Sequence, residues 1–91
     1  MLNLLWSDKA LADLDRIVDY IDERSPAGAR RIQALVEAAA ERACQFPHLY
    51  RAGRVSGTRE AVVHPNYVLV YEVRADMIVV IAVLHARQNY P

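Results

Sequence analysis

Between Arg59 and Arg87 the chain alternates apolar runs with two short links, and no other stretch restricts the fold as much. The runs are REAVVH, YVLVYEV and MIVVIAVLHAR, rich in valine and other residues that suit a pleated strand. Pro65-Asn66 joins the first pair as a tight turn, and Ala75-Asp76 is a second two-residue link. Links this short force neighbouring strands to run antiparallel, so a three-stranded meander is predicted. The register they imply sets His64 opposite Tyr67, Arg59 opposite Glu72 and Arg74 opposite Met77.

Side chains alternate across a strand, so this register sorts the meander into two faces. One holds Val62, Tyr67, Leu69, Tyr71, Val73, Ile78, Val80, Ala82 and Leu84, an apolar surface expected to meet the core. The other holds Arg59, Ala61, Val63, Val68, Val70, Glu72, Arg74, Met77, Val79, Ile81, Val83, His85 and Arg87, polar groups around an aliphatic centre. A chain of 91 residues is one domain, spanning 1–91, with a single helical layer available. The aliphatic centre is therefore expected to lie uncovered and to need a partner.

The remaining elements follow in order. Leu2 to Trp6 is a brief apolar run suited to a strand, expected at or near an edge of the sheet. Ser7 reads as an N-cap with Asp8 behind it, and Leu11, Leu14, Ile17, Val18 and Ile21 recur at helical spacing. Asp13, Asp15, Asp19 and Asp22 take the far, solvated side. Ser25-Pro26 starts a second helix, whose stripe runs through Ile32, Leu35, Val36, Ala39, Ala43 and Phe46 until Pro47 stops it. So short a link makes the two helices an antiparallel hairpin. From His48 to Thr58 there is no periodicity, and the segment reads as a loop with Arg51 and Arg54 as solvated charges. The expected architecture is α+β, in the order β-α-α-β-β-β, with the hairpin packed on a mainly antiparallel sheet.

Lysine plus arginine and aspartate plus glutamate number 11 each, so no net charge draws the whole molecule onto nucleic acid or an anionic membrane. The C-terminal portion is mildly basic, and all its basic residues from Arg51 onward are arginine. Cys44 stands alone, which excludes a disulfide within the chain and suits a reducing compartment. MLNLLW carries no basic leader and is too short to span a bilayer, so a soluble, cytoplasmic protein without membrane contact is expected. Dispersed His48, His64 and His85 and the absence of a cysteine pair argue against a metal site, and no cofactor is expected. Tyr67 and Tyr71 read as packing aromatics, Trp6 likewise, and Cys44 as a small hydrophobe.

The order of elements, together with Gly57-Thr58-Arg59-Glu60, Tyr67-Val68-Leu69-Val70-Tyr71 and Val83-Leu84-His85-Ala86-Arg87-Gln88 ending at Pro91, resembles the RelE/ParE superfamily of toxins from type II toxin–antitoxin modules. The resemblance covers essentially the whole chain. It implies a toxin held inactive in a hetero-oligomer by a cognate antitoxin, whose tail covers the helical hairpin and parts of the sheet. On this chain those contacts would fall at Leu11, Leu14, Val68, Val70, Val79, Ile81, Val83 and Arg87.

Activity divides the superfamily. RelE-like members cut messenger RNA on the ribosome, and the resemblance implies a cluster of basic groups on the open sheet face. One is an arginine just after the tyrosine that begins the middle strand, where this chain has Val68; another basic position is occupied by Ala61. Cleavage through the 2′-hydroxyl needs a proton acceptor, a proton donor and cations beside the growing negative charge. Arg59, His85 and Arg87 are the catalytic candidates if the protein is a ribonuclease. ParE-like members resemble this chain in the aliphatic residue at Val68 and in a strand ending Leu-His, and their implied target is DNA gyrase, poisoned by binding alone. Neutral charge and the missing cations favour the gyrase-directed branch over the ribosome and its mRNA. A degenerate member that binds antitoxin without toxicity is a third reading.

Overall fold

A computed structural model describes residues 1–90. Pro91, which ends the C-terminal motif, lies outside the described residues. The chain runs β1 (Asn3–Trp6), α1 (Asp8–Asp22), α2 (Pro26–Gln45), β2 (Arg51–Ala52), β3 (Thr58–His64), β4 (Tyr67–Val73) and β5 (Met77–His85). One five-stranded sheet has the order β1-β5-β4-β3-β2, with β1 parallel to β5 and the other pairs antiparallel.

Both helix starts follow from their caps. The Ser7 hydroxyl accepts the Ala10 N–H at 3.1 Å, and the Ser25 hydroxyl accepts the Gly28 N–H at 2.9 Å ahead of a proline-led first turn. Leu14, Val36, Ala39 and Ala40 bury against Ala61, Leu69, Val80 and Val83 of the sheet. A second cluster joins Ala43 and Cys44 of α2 to Tyr71 and Ile78. Phe46 departs from the predicted stripe: it is the C-cap and is exposed. In the predicted loop, Arg51 and Ala52 pair with Glu60 and Arg59 as a fifth strand, too short for a pattern of two residues to reveal.

The faces of the meander differ from the register read off the turns. His64 does pair with Tyr67, and the Arg74 N–H does bond the Met77 carbonyl at 2.8 Å, so both hairpins form where expected. Each outer strand then carries one extra residue. The shift lies between Val62 and His64 in β3, and opposite Val70 and Tyr71 in β5, where Ala82 and Val80 are the partners and Ile81 is left over. A bulge inverts parity beyond itself. Ala61 and Val83 therefore enter the helix-side core, while Val62 is exposed and Ala82 and Leu84 go to the other face. Arg59 stands opposite Tyr71, with Thr58 opposite Glu72.

The β5 bulge sits where its outer partner runs out. Strand β1 ends at Trp6 opposite Val80, and the chain turns into α1. Side chains of the helix then replace the ladder: the Ser7 hydroxyl reaches the Ile81 carbonyl at 3.4 Å, and the Asp13 carboxylate accepts the Val83 N–H at 3.1 Å.

The face away from the helices is not open. Val68, Val70, Ala82 and Leu84 are all at most 2 % exposed, covered by Ile81, Ala86 and Tyr90 of the chain itself. The segment after β5 folds back over them, held by the Ala86 N–H on the Asn66 carbonyl at 2.7 Å and by Arg54 Nη1 on the Gln88 carbonyl at 3.3 Å. The expected uncovered aliphatic centre is thus corrected. A strap from the C terminus, invisible to strand periodicity, occupies the place assigned to a partner.

Candidate functional site

The residues singled out in the sequence fall on the sheet, on its rim and on α1. Val68, Val70, Val79 and Val83 are buried, Val83 against the helices and Val68 and Val70 under the strap. Ile81 is half-buried at the bulge. As the chain stands, these residues offer little surface to a partner. On α1, Leu14 is buried in the core and Leu11 is 46 % exposed, so of the two only Leu11 is presented outward.

Arg59 belongs to the helix side, opposite Tyr71, rather than to the open face. Its guanidinium donates to the Tyr50 carbonyl at 2.7 Å and the His48 carbonyl at 3.4 Å, tying the end of the α2–β2 connection to β3. Burial pushes the Tyr71 phenol up, a shift that the nearby Arg59 charge opposes. That hydroxyl donates to the Pro47 carbonyl at 2.9 Å, and its ring meets Tyr50 edge-on.

His85 sits at the other end of β4, opposite Tyr67, with ring centroids 5.6 Å apart. Tyr67 and Tyr71 are four residues apart on one strand, about 13 Å at the rise of an extended chain. Arg59 and His85 are therefore separated along the sheet. The exposed Arg87 follows closely on His85, and its N–H is accepted by His85 Nδ1 at 3.2 Å. The structure brings His85 and Arg87 together and leaves Arg59 apart.

Tyr67 is the centre of the remaining rim. His64 packs on its other side at 5.8 Å, and a cleft opens on each flank. One, about 340 Å³, lies under the turn of the helical hairpin and includes Ile32, Leu35, Arg31 and His64; the other, about 240 Å³, lies between α1 and β5 and includes Ile17, Tyr20, Arg16 and His85. Aliphatic walls with arginine and histidine at the margins suit the binding of a chain or surface.

Two carboxylates escaped the sequence reading. Glu60, only 3 % exposed, accepts Arg51 Nη2 at 3.2 Å and the Arg54 N–H at 3.0 Å, with Arg54 Nε 3.5 Å away. Arg51 and Arg54 are thus exposed charges, as expected, that also pair with a buried acid, and Arg54 carries the strap. Asp13, assigned to a solvated face, is likewise buried, between Lys9 at 2.8 Å and Arg16 at 2.8 Å. Burial raises its carboxyl, but hydrogen bonds from Lys9, the Val83 N–H and Arg16 together outweigh this and hold it below the usual range. The visible signal was a cation one turn away on each side, at Lys9 and Arg16.

Comparison with known proteins then places the chain. Residues 4–90 match the family model described as the ParE toxin of the type II toxin–antitoxin system parDE. The putative toxin Y4kP of Sinorhizobium fredii is 33 % identical over 94 % of this chain and 90 % of its own length. The toxin RelE2 of Caulobacter vibrioides is 35 % identical over 94 % of this chain and 97 % of its own. Among solved structures, a chromosomal ParDE system from P. aeruginosa superposes with a TM-score of 0.74 at 24 % identity, covering 93 % of this chain and 96 % of the other. The YoeB dimer of Staphylococcus aureus gives 0.66 at 14 % identity, covering 98 % of each. Both establish a shared fold.

Proposed function

Because the chain belongs to the ParE toxin family of type II toxin–antitoxin systems, we propose that it is neutralised by a cognate antitoxin and acts by binding DNA gyrase, without cleaving RNA itself. The observation that carries the second half is the dispersal of the candidate catalytic set. Arg59 is committed to the Tyr50 and His48 carbonyls, while His85 and Arg87 stand at the opposite end of the sheet. Val68, where RelE-like sequences have arginine, lies in an apolar cluster at 2 % exposure. Losing one charge stabiliser from an active site typically costs about a hundredfold to a thousandfold in rate. A chain that keeps its cations this far apart is poorly equipped for phosphoryl chemistry and better suited to holding a protein surface.

Two assays run side by side test this reading. Purified toxin is expected to inhibit supercoiling by gyrase, or to trap cleaved DNA, while leaving ribosome-bound message intact. Full supercoiling at saturating toxin, or cut message lost in His85→Ala, would reverse the assignment. Expression without antitoxin is expected to arrest growth; unchanged growth would mark a member that has lost its toxicity.

A further inference from the structure

We propose that the outer edge of β1 receives an extended, basic segment of a partner polypeptide as a sixth strand. The inference relies on the preceding reading only for which partner supplies the segment. In a parallel pair, alternate residues bond the same neighbour with both backbone groups. Here the Asn3 N–H reaches the Asp76 carbonyl at 3.1 Å and the Ser7 N–H reaches the Val80 carbonyl at 2.9 Å, so Asn3, Leu5 and Ser7 face inward to β5. Leu4 and Trp6 consequently direct their N–H and C=O groups away from the sheet, and β1 is its terminal strand.

Native sheets blunt such edges with lysine, proline, bulges, brevity or a covering element. The opposite edge obeys this rule: β2 is two residues long and led by Arg51, and past it the free part of β3 carries a bulge between Val62 and His64. Strand β1, Asn-Leu-Leu-Trp, has no charge, no proline and no bulge, with Leu4 37 % and Leu5 50 % exposed.

The surroundings decide the charge of what pairs there. A cleft of about 270 Å³ runs beside the edge, lined by Leu4, Trp6, Glu37 and Glu41. The two glutamates are one turn apart on α2, and among the described residues neither takes part in an ion pair. In an added strand, residues beside Leu4 and Trp6 point toward α2. Lysine or arginine there lays its methylene stem over Leu4 and Trp6 and carries its charge to Glu37 and Glu41. The intervening residue faces the other side, against Leu5, and is aliphatic. The occupant therefore alternates basic and aliphatic residues. A second copy of this chain is a poor fit, because twofold pairing of β1 with β1 brings two pairs of like-charged glutamates toward one seam.

The probes are the hexapeptide acetyl-Lys-Val-Lys-Ile-Arg-Val-amide, its counterpart with glutamate at the basic positions, and the purified complex with the antitoxin encoded beside the toxin. The basic peptide is expected to shift the amide resonances of Leu4 and Trp6, and the acidic one to leave them unmoved. In the complex those two amides are expected to exchange with solvent at least tenfold more slowly than in the free toxin. Leu4→Pro removes an outward N–H at no cost to the inner ladder, and Glu37→Lys with Glu41→Lys reverses the cleft; each is expected to weaken both partners at least tenfold with the melting temperature little changed. Equal response to the two peptides, or a complex in which Leu4 and Trp6 exchange as freely as before, overturns the inference while leaving the toxin reading intact. Association of the free toxin abolished by Leu4→Pro overturns it in favour of a second copy. Failure to form any complex with the antitoxin strikes the preceding reading instead, and the peptides still decide this one.

Discussion

Asp13 carries more of the fold than its place in a row of surface aspartates suggests. Its carboxylate is the acceptor for a Val83 N–H that lies beyond the end of β1 and so has no strand partner on that side. Truncation in Asp13→Ala leaves that N–H buried and unpaired, and the expected loss is about 1–3 kcal/mol in chemical denaturation. Lys9 and Arg16 add little beyond this, being 61 % and 70 % exposed. The sign of the pH dependence follows from the depressed carboxyl. An acid held below its unfolded value contributes fully above that value, about 3.9, and its contribution disappears as pH falls through it toward the folded one. Unfolding midpoints measured downward from neutral pH should therefore drop in the wild type in that window and drop less steeply in Asp13→Asn. Val68 supports an opposite kind of test. Placing arginine there, as in RelE-like sequences, puts a charge among Val70, Ala82 and Leu84. We expect Val68→Arg to cost upwards of about 3 kcal/mol and to yield no message cleavage, read by thermal melting and by incubation with ribosome-bound RNA.

At the level of elements, the strap and the bulges explain where the sequence was legible and where it was not. Helix starts were readable because Ser7 and Ser25-Pro26 act within one turn of themselves. The hairpin turns were readable for the same reason. Register failed because β5 is apolar at both parities: MIVVIAVLH offers no polar position before the terminal His85 that a one-residue slip would bury. What fixes it is Asp13, 70 positions away from Val83 in the sequence. The strap was hidden for a related reason, since Ala86 and Tyr90 are too few to form a pattern, and Arg54 joins them through the Gln88 carbonyl across 34 positions. If the strap is the cover for the second sheet face, removing residues 86–91 should expose Val68, Val70, Ala82 and Leu84. The truncated protein is expected to bind an apolar dye severalfold more strongly and to self-associate in sedimentation, while retaining its helix content. Glu60→Ala should act in the same direction more weakly, by releasing Arg54, with faster exchange at the Ala86 amide as its signature.

For the whole molecule, charge separates the two possible targets more cleanly than the fold, which both kinds of toxin share. Lysine plus arginine balance aspartate plus glutamate at 11 each, and the buried acids Asp13 and Glu60 engage four of the basic side chains. Arg59 is held on backbone carbonyls as well. Of the six basic side chains that remain, Arg24 and Arg74 sit in surface ion pairs and, among the described residues, four, Arg30, Arg31, Arg42 and Arg87, are left to grip a polyanion. A protein that neutralises six to ten phosphates loses about a thousandfold to a hundred-thousandfold in affinity between 50 and 200 mM salt. A toxin that holds gyrase through apolar clefts such as those flanking Tyr67 has no such dependence, because apolar burial is indifferent to screening at these concentrations. Its gyrase inhibition is therefore expected to change by less than about tenfold over that range, and its retention on immobilised single-stranded RNA to be negligible at the lower salt. Titrating supercoiling at both concentrations, with the RNA column run in parallel, checks the two expectations together; a steep loss of inhibition with salt would place phosphate contacts at the centre of the mechanism and return Arg87 and His85 to the leading role.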